Sequence, residues 1–209
     1  METPNILDGT EQFIRAAGQL PSAQEFGDPA LHKFRRSLLA EEHQEYLDAE
    51  LNHDPKEVMD GLLDQIVVVW GSVLIYSEGV YSPKLGLEGI TQYMRSAAPK
   101  WENEETRTSH RIWLQQLYSD YESAEATGDR WNIVLAGRRL ARAAWIVLLD
   151  LFGPDAAREA ANEVTRSNLA KIVDGAVIRH PETGKILKPE GWVAPDIASV
   201  LVRHGLVAA

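Results

Sequence analysis

The chain contains no cysteine. That absence excludes disulfides, thiolate zinc sites and cysteine nucleophiles together. Basic residues are also scarce: 21 Lys plus Arg stand against 31 Asp plus Glu, for a formal net charge of −10. A duplex nucleic-acid partner is therefore disfavoured, because neutralising phosphates takes a basic face. A cation ligand suits this charge better. Near the front the longest apolar run, residues 66–70, falls far short of a membrane span. The first ten residues carry Glu2 and Asp8, where an export signal would place a basic stretch followed by an apolar one. There is no internal repeat, low-complexity tract or evident linker. What remains is ordinary globular material, 209 residues with 44% hydrophobic and 25% charged, enough for one domain with a real core. The expectation is a single domain over 1–209, soluble and cytoplasmic, with no membrane and no duplex nucleic acid as partner.

Helical periodicity dominates. Leu31, Phe34, Leu38, Leu39, Tyr46 and Leu47 recur at steps of three and four and predict a helix over 28–51, with Asp28 as N-cap and Pro29 at its first position. Asn52-His53-Asp54-Pro55 breaks it. A second helix, capped by Asp54, is expected over 55–76 and stopped by Gly79. Further helices are expected over 87–97, 104–126 and 131–152. Another, capped by Asp155, should run to Ile172, and a last one should span 195–202. Between them, 176–179 and 185–188 read as a small β-hairpin around a turn at 181–184. The fold class is all-α: a helical bundle with an inserted helical region near 80–130 and a small C-terminal hairpin.

Nine carboxylates fall within the 24 residues from Glu41 to Asp64. Their phasing matters more than their number. Glu41, Glu42 and Glu45 share one face of the first helix; Glu57, Asp60 and Asp64 share one face of the second. Like charges so spaced repel by about 0.2–0.5 kcal/mol per pair. Yet after Asp64 the second helix is apolar on every side, so it must enter the core. A helical hairpin would then set Glu41, Glu42 and Glu45 against Asp60 and Asp64. Carboxylates converging on a partly buried interior need a counter-charge. Oxygen-only donors favour Mg²⁺ or Mn²⁺ over zinc. The plain alternative is a solvated acidic face on two ordinary helices.

At these residues the sequence resembles the all-α nucleoside triphosphate pyrophosphohydrolases, the MazG-like superfamily that also holds phosphoribosyl-ATP pyrophosphohydrolase and dimeric dUTPase. Glu41-Glu42-x-x-Glu45, eleven residues, then Glu57-x-x-Asp60 is similar to its acidic signature. Asp60-Gly-Leu-Leu-Asp64-Gln-Ile-Val-Val-Val-Trp-Gly71 resembles the second-helix block of a phage and bacterial branch. Arg166-Ser-Asn168-Leu-Ala-Lys171, Asp174-Gly175 and Gly184-Lys185-Ile-Leu-Lys188 resemble that branch's closing block. The likeness covers about 28–78 and 155–201, and residues 80–130 have no counterpart in it. Two alignments of the second motif compete. The literal one ends at Asp60 after Glu57. The apolar register favours Asp64 as the terminal aspartate, with Gly61 three residues before it and Asp60 one step off taking the missing carboxylate's part.

The resemblance implies hydrolysis of a (d)NTP to (d)NMP and pyrophosphate, with Mg²⁺ as cofactor and Mn²⁺ able to replace it. Glu42, Glu45, Asp60 and Asp64 would hold metal, and Glu41 or Glu42 would orient the attacking water as base. Arg166, Asn168, Lys171, Lys185 and Lys188 would bind the triphosphate and sugar. The branch further implies a purine substrate (dGTP or dATP), a dimer or tetramer, and a bacterial or phage-infected cytoplasm. Trp70, Trp131, Trp145 and Trp192 are candidates to stack a base, although core packing is the commoner fate of a tryptophan at helical spacing. His43 reads as an exposed residue among the glutamates, Arg138, Arg139 and Arg142 as a solvated or inter-subunit face, and no serine forms a triad with the histidines. The competing function is a non-catalytic helical module whose acidic face recruits a basic partner.

Overall fold

The computed structural model describes residues 5–20, 26, 28–77, 86–181 and 186–208, and among them the chain is mostly helical, with eight helices and one two-stranded ribbon. They are α1 (Ile6–Ala16), α2 (Pro29–Leu51), α3 (Pro55–Tyr76), α4 (Leu87–Tyr93), α5 (Glu104–Thr127), α6 (Arg130–Phe152), α7 (Pro154–Leu169), β1 (Ile172–Val173), β2 (Ala176–Val177) and α8 (Ile197–Arg203). The fold is all-α. Side-chain caps set most of the starts. Asp28 accepts from Ala30 N, Asp54 from Lys56 N and Glu57 N, Asn103 from Thr106 N, and Asp129 from Trp131 N and Asn132 N. Each satisfies backbone donors that a helix leaves without partners in its first turn.

Helices α2 and α3 form one antiparallel hairpin and α5 and α6 another. Helix α3 lies along α6 and α5 closes back onto α2, making a four-helix bundle; α1, α7 and α8 pack on the remaining side of α3. Helix α3 is thus surrounded, which explains its near-continuous apolar sequence. Val58, Met59, Leu62, Leu63, Ile66, Val69 and Trp70 are wholly buried, each contributing about 1.5–3 kcal/mol for an aliphatic-sized side chain. It is the one helix among the described residues long and apolar enough to cross a membrane, and 78% of that stretch is buried within the protein. Residues 80–130 include part of the bundle itself: α5 inserts Leu114 and Tyr121 into the core.

The structure departs from the sequence reading in five places. Helix α1 was not foreseen; Asn5 caps it and Ile6, Leu7 and Ile14 are buried. Helix α4 ends at Tyr93 rather than 97. Helix α7 starts at Pro154, directly after Gly153 in a positive-φ conformation, so Asp155 lies inside it rather than capping it. It ends at Leu169, and Ile172 pairs with Val177 in the ribbon. The tight turn is Asp174-Gly175, both with positive φ, as a two-residue hairpin turn requires. Of the expected hairpin there remain the Arg179–Ile186 bridge and the bond from Leu187 N to Ile178 O, 2.8 Å. The stop at Gly79, the turn residues 182–184 and Lys185 lie outside the described residues.

Candidate functional site

The site begins with a close approach of two helices. Gly61 on α3 packs against Tyr46 on α2 so tightly that a Cβ there would lie 3.1 Å from the Tyr46 Cα. Tyr46 is one residue past Glu45 and four past Glu42; Gly61 stands between Asp60 and Asp64. Closing the helices at this point turns Glu42 and Glu45 toward Asp60 and Asp64. The electrostatics record the meeting. Burial first, then Asp64, Glu45, Glu41 and Asp60, push the Glu42 carboxyl up to about 8. Burial, then Asp60 and Glu45, push Asp64 up to about 7, against the opposing pull of Lys171. Asp60 is raised as well, by burial, Glu57 and Glu45, and its Oδ1 is buried without a hydrogen-bond partner.

A second wall supplies cations. Lys171, just beyond α7, acts on both Asp64 and Glu42. Its Nζ donates to Asn168 Oδ1 at 2.8 Å. It also stands 5.6 Å from the centre of the Trp192 ring and 5.9 Å from that of Phe13 on α1. Lys188 Nζ lies over the same Trp192 ring at 4.3 Å. Trp192 is oriented by its Nε1, which donates to Ser167 O at 2.8 Å. The end of α7 and the C-terminal segment therefore bring Asn168, Lys171 and Lys188 to one place, from which Lys171 acts on the carboxylates.

Other sequence-predicted residues stand elsewhere. Glu41 is exposed and contributes only its field. Glu57 is exposed and bonded to Lys56, which leaves Asp60 and Asp64 as the inward pair of α3. Arg166 is bound by Glu163 at 2.8 Å and by Ala194 O at 3.0 Å. Lys185 lies outside the described residues. His43, expected exposed, is buried: it stacks on Tyr118 with ring centres 4.0 Å apart and shares a hydrogen bond with Gln65, 3.2 Å. Tyr118 lies a helix away in the fold, so the helix-face pattern of α2 alone could not place His43. Trp70 and Trp145 are core residues and Trp131 is half exposed.

Sequence reasoning missed Phe13 because it missed α1. It also missed a buried polar network remote from the carboxylates. There Arg35 donates from Nε to Ser72 Oγ at 3.0 Å and from Nη2 to Val68 O at 2.6 Å. Nearby, Glu125 accepts from Tyr121 at 2.9 Å and meets His32 at 3.0 Å. The glycine of Trp70-Gly71 was the available signal, since a Cβ at Gly71 would lie 2.9 Å from Arg35 Nη2. A cleft of about 610 Å³ beside this network is lined by His32, Lys33, Arg36 and Glu125 and does not include the carboxylates.

The donors facing each other across α2 and α3 are all hard oxygens, suited to Mg²⁺ or Mn²⁺, and the partnerless Asp60 Oδ1 is an oxygen such an ion could use. Among the described residues, however, no three acidic or imidazole groups are drawn together as a formed metal centre would draw them. No protein-family model, curated protein or solved structure matches the chain.

Proposed function

We propose that the protein is a divalent-cation-dependent nucleoside triphosphate diphosphatase, splitting a (d)NTP into (d)NMP and pyrophosphate. The observation that carries this reading is the confrontation of two charge sets. Glu42, Asp60 and Asp64 lie partly buried between α2 and α3 with the exposed Glu45 beside them, while Lys171, which shares one indole with Lys188, acts on Asp64 and Glu42. A triphosphate with a divalent cation is a ligand that satisfies both walls at once. The four carboxylates would hold Mg²⁺ or Mn²⁺, moving together by side-chain rotation; when bound, the ion neutralises phosphate charge and favours ionisation of water. Lys171, Lys188 and Asn168 hold the outer phosphates. Glu42, more buried than Glu41 and with a raised proton affinity, accepts the proton of the water that attacks the α-phosphorus, and pyrophosphate leaves. A purine deoxynucleotide substrate and a dimer or tetramer, in a bacterial or phage-infected cytoplasm, complete the proposal on the strength of the sequence resemblance.

The second reading, an acidic docking face for a basic partner, is favoured by the lack of three converging ligands among the described residues and by the exposure of Glu41, Glu45 and Asp48. The deciding experiment is pyrophosphate release from a panel of NTPs and dNTPs with and without Mg²⁺. The enzyme reading expects Mg²⁺-dependent release that Glu45→Gln and Asp64→Asn each abolish in a folded protein. The docking reading expects no release from any of them.

A further inference from the structure

We propose that Trp192 is a positioning residue that, with Phe13, seats Lys171 and Lys188 side by side as a single grip for condensed phosphate. The inference rests on the diphosphatase reading for its biological ligand, but its geometry stands apart from the carboxylates. Two ammonium groups lie 4.3 and 5.6 Å from the centre of one indole ring. The electron-rich face of an indole is the best aromatic seat for a cation. Two lysines so close repel: burial first, and Lys188 after it, lower the proton affinity of Lys171 against the pull of Asp64 and Glu42. The arrangement becomes favourable when an anion with charge on neighbouring oxygens bridges them, and adjacent phosphoryl groups have that character.

The platform is also fixed. Trp192 Nε1 is bonded to the carbonyl of the buried Ser167, one residue before Asn168. The indole is thereby referenced to the last turn of α7, the same turn that supplies the acceptor for Lys171. Phe13, from α1, approaches Lys171 from a different element at 5.9 Å. Three separate segments thus converge on one lysine, and one side chain, Trp192, is common to both lysines. Lys188 itself is exposed, so nothing but the indole restrains it in the described structure at so short a range.

The test uses the full chain and inorganic tripolyphosphate as probe, at about pH 6 in EDTA. Calorimetry should show tripolyphosphate binding to the wild type, about tenfold weaker in Trp192→Leu and in Lys188→Met, and close to wild type in Trp192→Phe. The indole N–H resonance of Trp192, assigned by its loss in Trp192→Phe, should move on adding tripolyphosphate to the wild type and need about tenfold more tripolyphosphate to move in Lys188→Met. In turnover assays Trp192→Leu should raise KM about tenfold with kcat little changed. If Trp192→Leu does not fold, the resonance and the Lys188→Met affinity decide. A wild type that binds no tripolyphosphate, or binds it with the Trp192 resonance unmoved, overturns the proposal. Tripolyphosphate binding through Trp192 without hydrolysis of any NTP would instead overturn the diphosphatase reading and leave the platform standing.

Discussion

Gly61 on α3 lies against the backbone of Tyr46 on α2, with room for a hydrogen but not for a methyl group: a Cβ would sit 3.1 Å from the Tyr46 Cα and 3.2 Å from its Cβ. Both helices are long and regular, so backbone at the contact point can yield only by moving a whole helix. Gly61→Ala gains about 1 kcal/mol of helix propensity and incurs an overpacking cost of about 1–3 kcal/mol. The net expectation is a loss of about 1 kcal/mol in urea denaturation, accompanied by a larger fall in NTP turnover, because the spacing of Glu42 and Glu45 from Asp60 and Asp64 changes with the helix separation. An unaltered or raised stability with full turnover would show that the close approach has no part in the site.

The carboxylate cluster should make the protein less stable as pH rises, the reverse of the usual carboxylate effect. Folding raises Glu42 from 4.5 to about 8 and Asp64 from 3.8 to about 7. Between the unfolded and folded values the native state holds more protons than the unfolded state, so unfolding free energy falls with increasing pH. The destabilisation is absent below about pH 4 and complete above about pH 8. Thermal melts from pH 5 to 8.5 should show a steadily falling Tm, and Mg²⁺ should raise Tm at the alkaline end far more than at pH 5, since it binds the ionised cluster. A flat profile, or a Mg²⁺ effect independent of pH, would contradict the assignment.

The elements most readable in the sequence were those whose signals are local. Asp28-Pro29 and Asp54-Pro55 combine a cap with a proline, and both helices start there. The facing of Glu42 toward Asp64 followed from helical phase and a short connection. What the sequence could not disclose depended on contacts far along the chain. Trp192 joins the site because it reaches the Ser167 carbonyl 25 residues earlier. His43 is buried because Tyr118 stacks on it. Helix α1 did carry a local signal, an Asn5 cap with Ile6, Leu7 and Ile14 on one face, but its Gly9 is explained only by Thr165, whose Cγ2 would lie 2.3 Å from a Cβ there. The hairpin turn slipped because two turn signals, at Asp174-Gly175 and at Pro181, lie within one short segment; the two-residue turn closes the tighter ribbon.

Arg35 should matter to stability rather than to chemistry. It is fully buried, its Nε and Nη2 donate to Ser72 and Val68, and burial lowers its proton affinity while Tyr121, Tyr76 and Glu125 oppose that. Removing Arg35 strips Ser72 Oγ of its guanidinium donor and leaves a cavity where the buried side chain lay, while Val68 O keeps its bond from Ser72 Oγ. Arg35→Ala is expected to cost about 3–5 kcal/mol in chemical denaturation. A loss under 1 kcal/mol, roughly what an exposed ion pair is worth, would mean that the network is relaxed by water.

Asp64→Asn separates function from stability most directly. Asp64 is half-buried, acts on Glu42, and is opposed by Lys171. If its role were a structural ion pair with Lys171, its carboxyl would lie below the usual range and its amide would weaken the fold. It lies above instead, at about 7, so the ionised form is held at a cost. Replacing it by the neutral isostere should therefore stabilise the metal-free protein at pH 8 by on the order of 2 kcal/mol, with less than half of that gain at pH 5 and none below about pH 3.5. The same substitution should abolish pyrophosphate release and the Mg²⁺-induced rise in Tm. Residues kept for chemistry commonly exact this trade. An Asp64→Asn protein that is less stable at pH 8 and still hydrolyses NTP would place Asp64 among the structural ion pairs and remove it from the site.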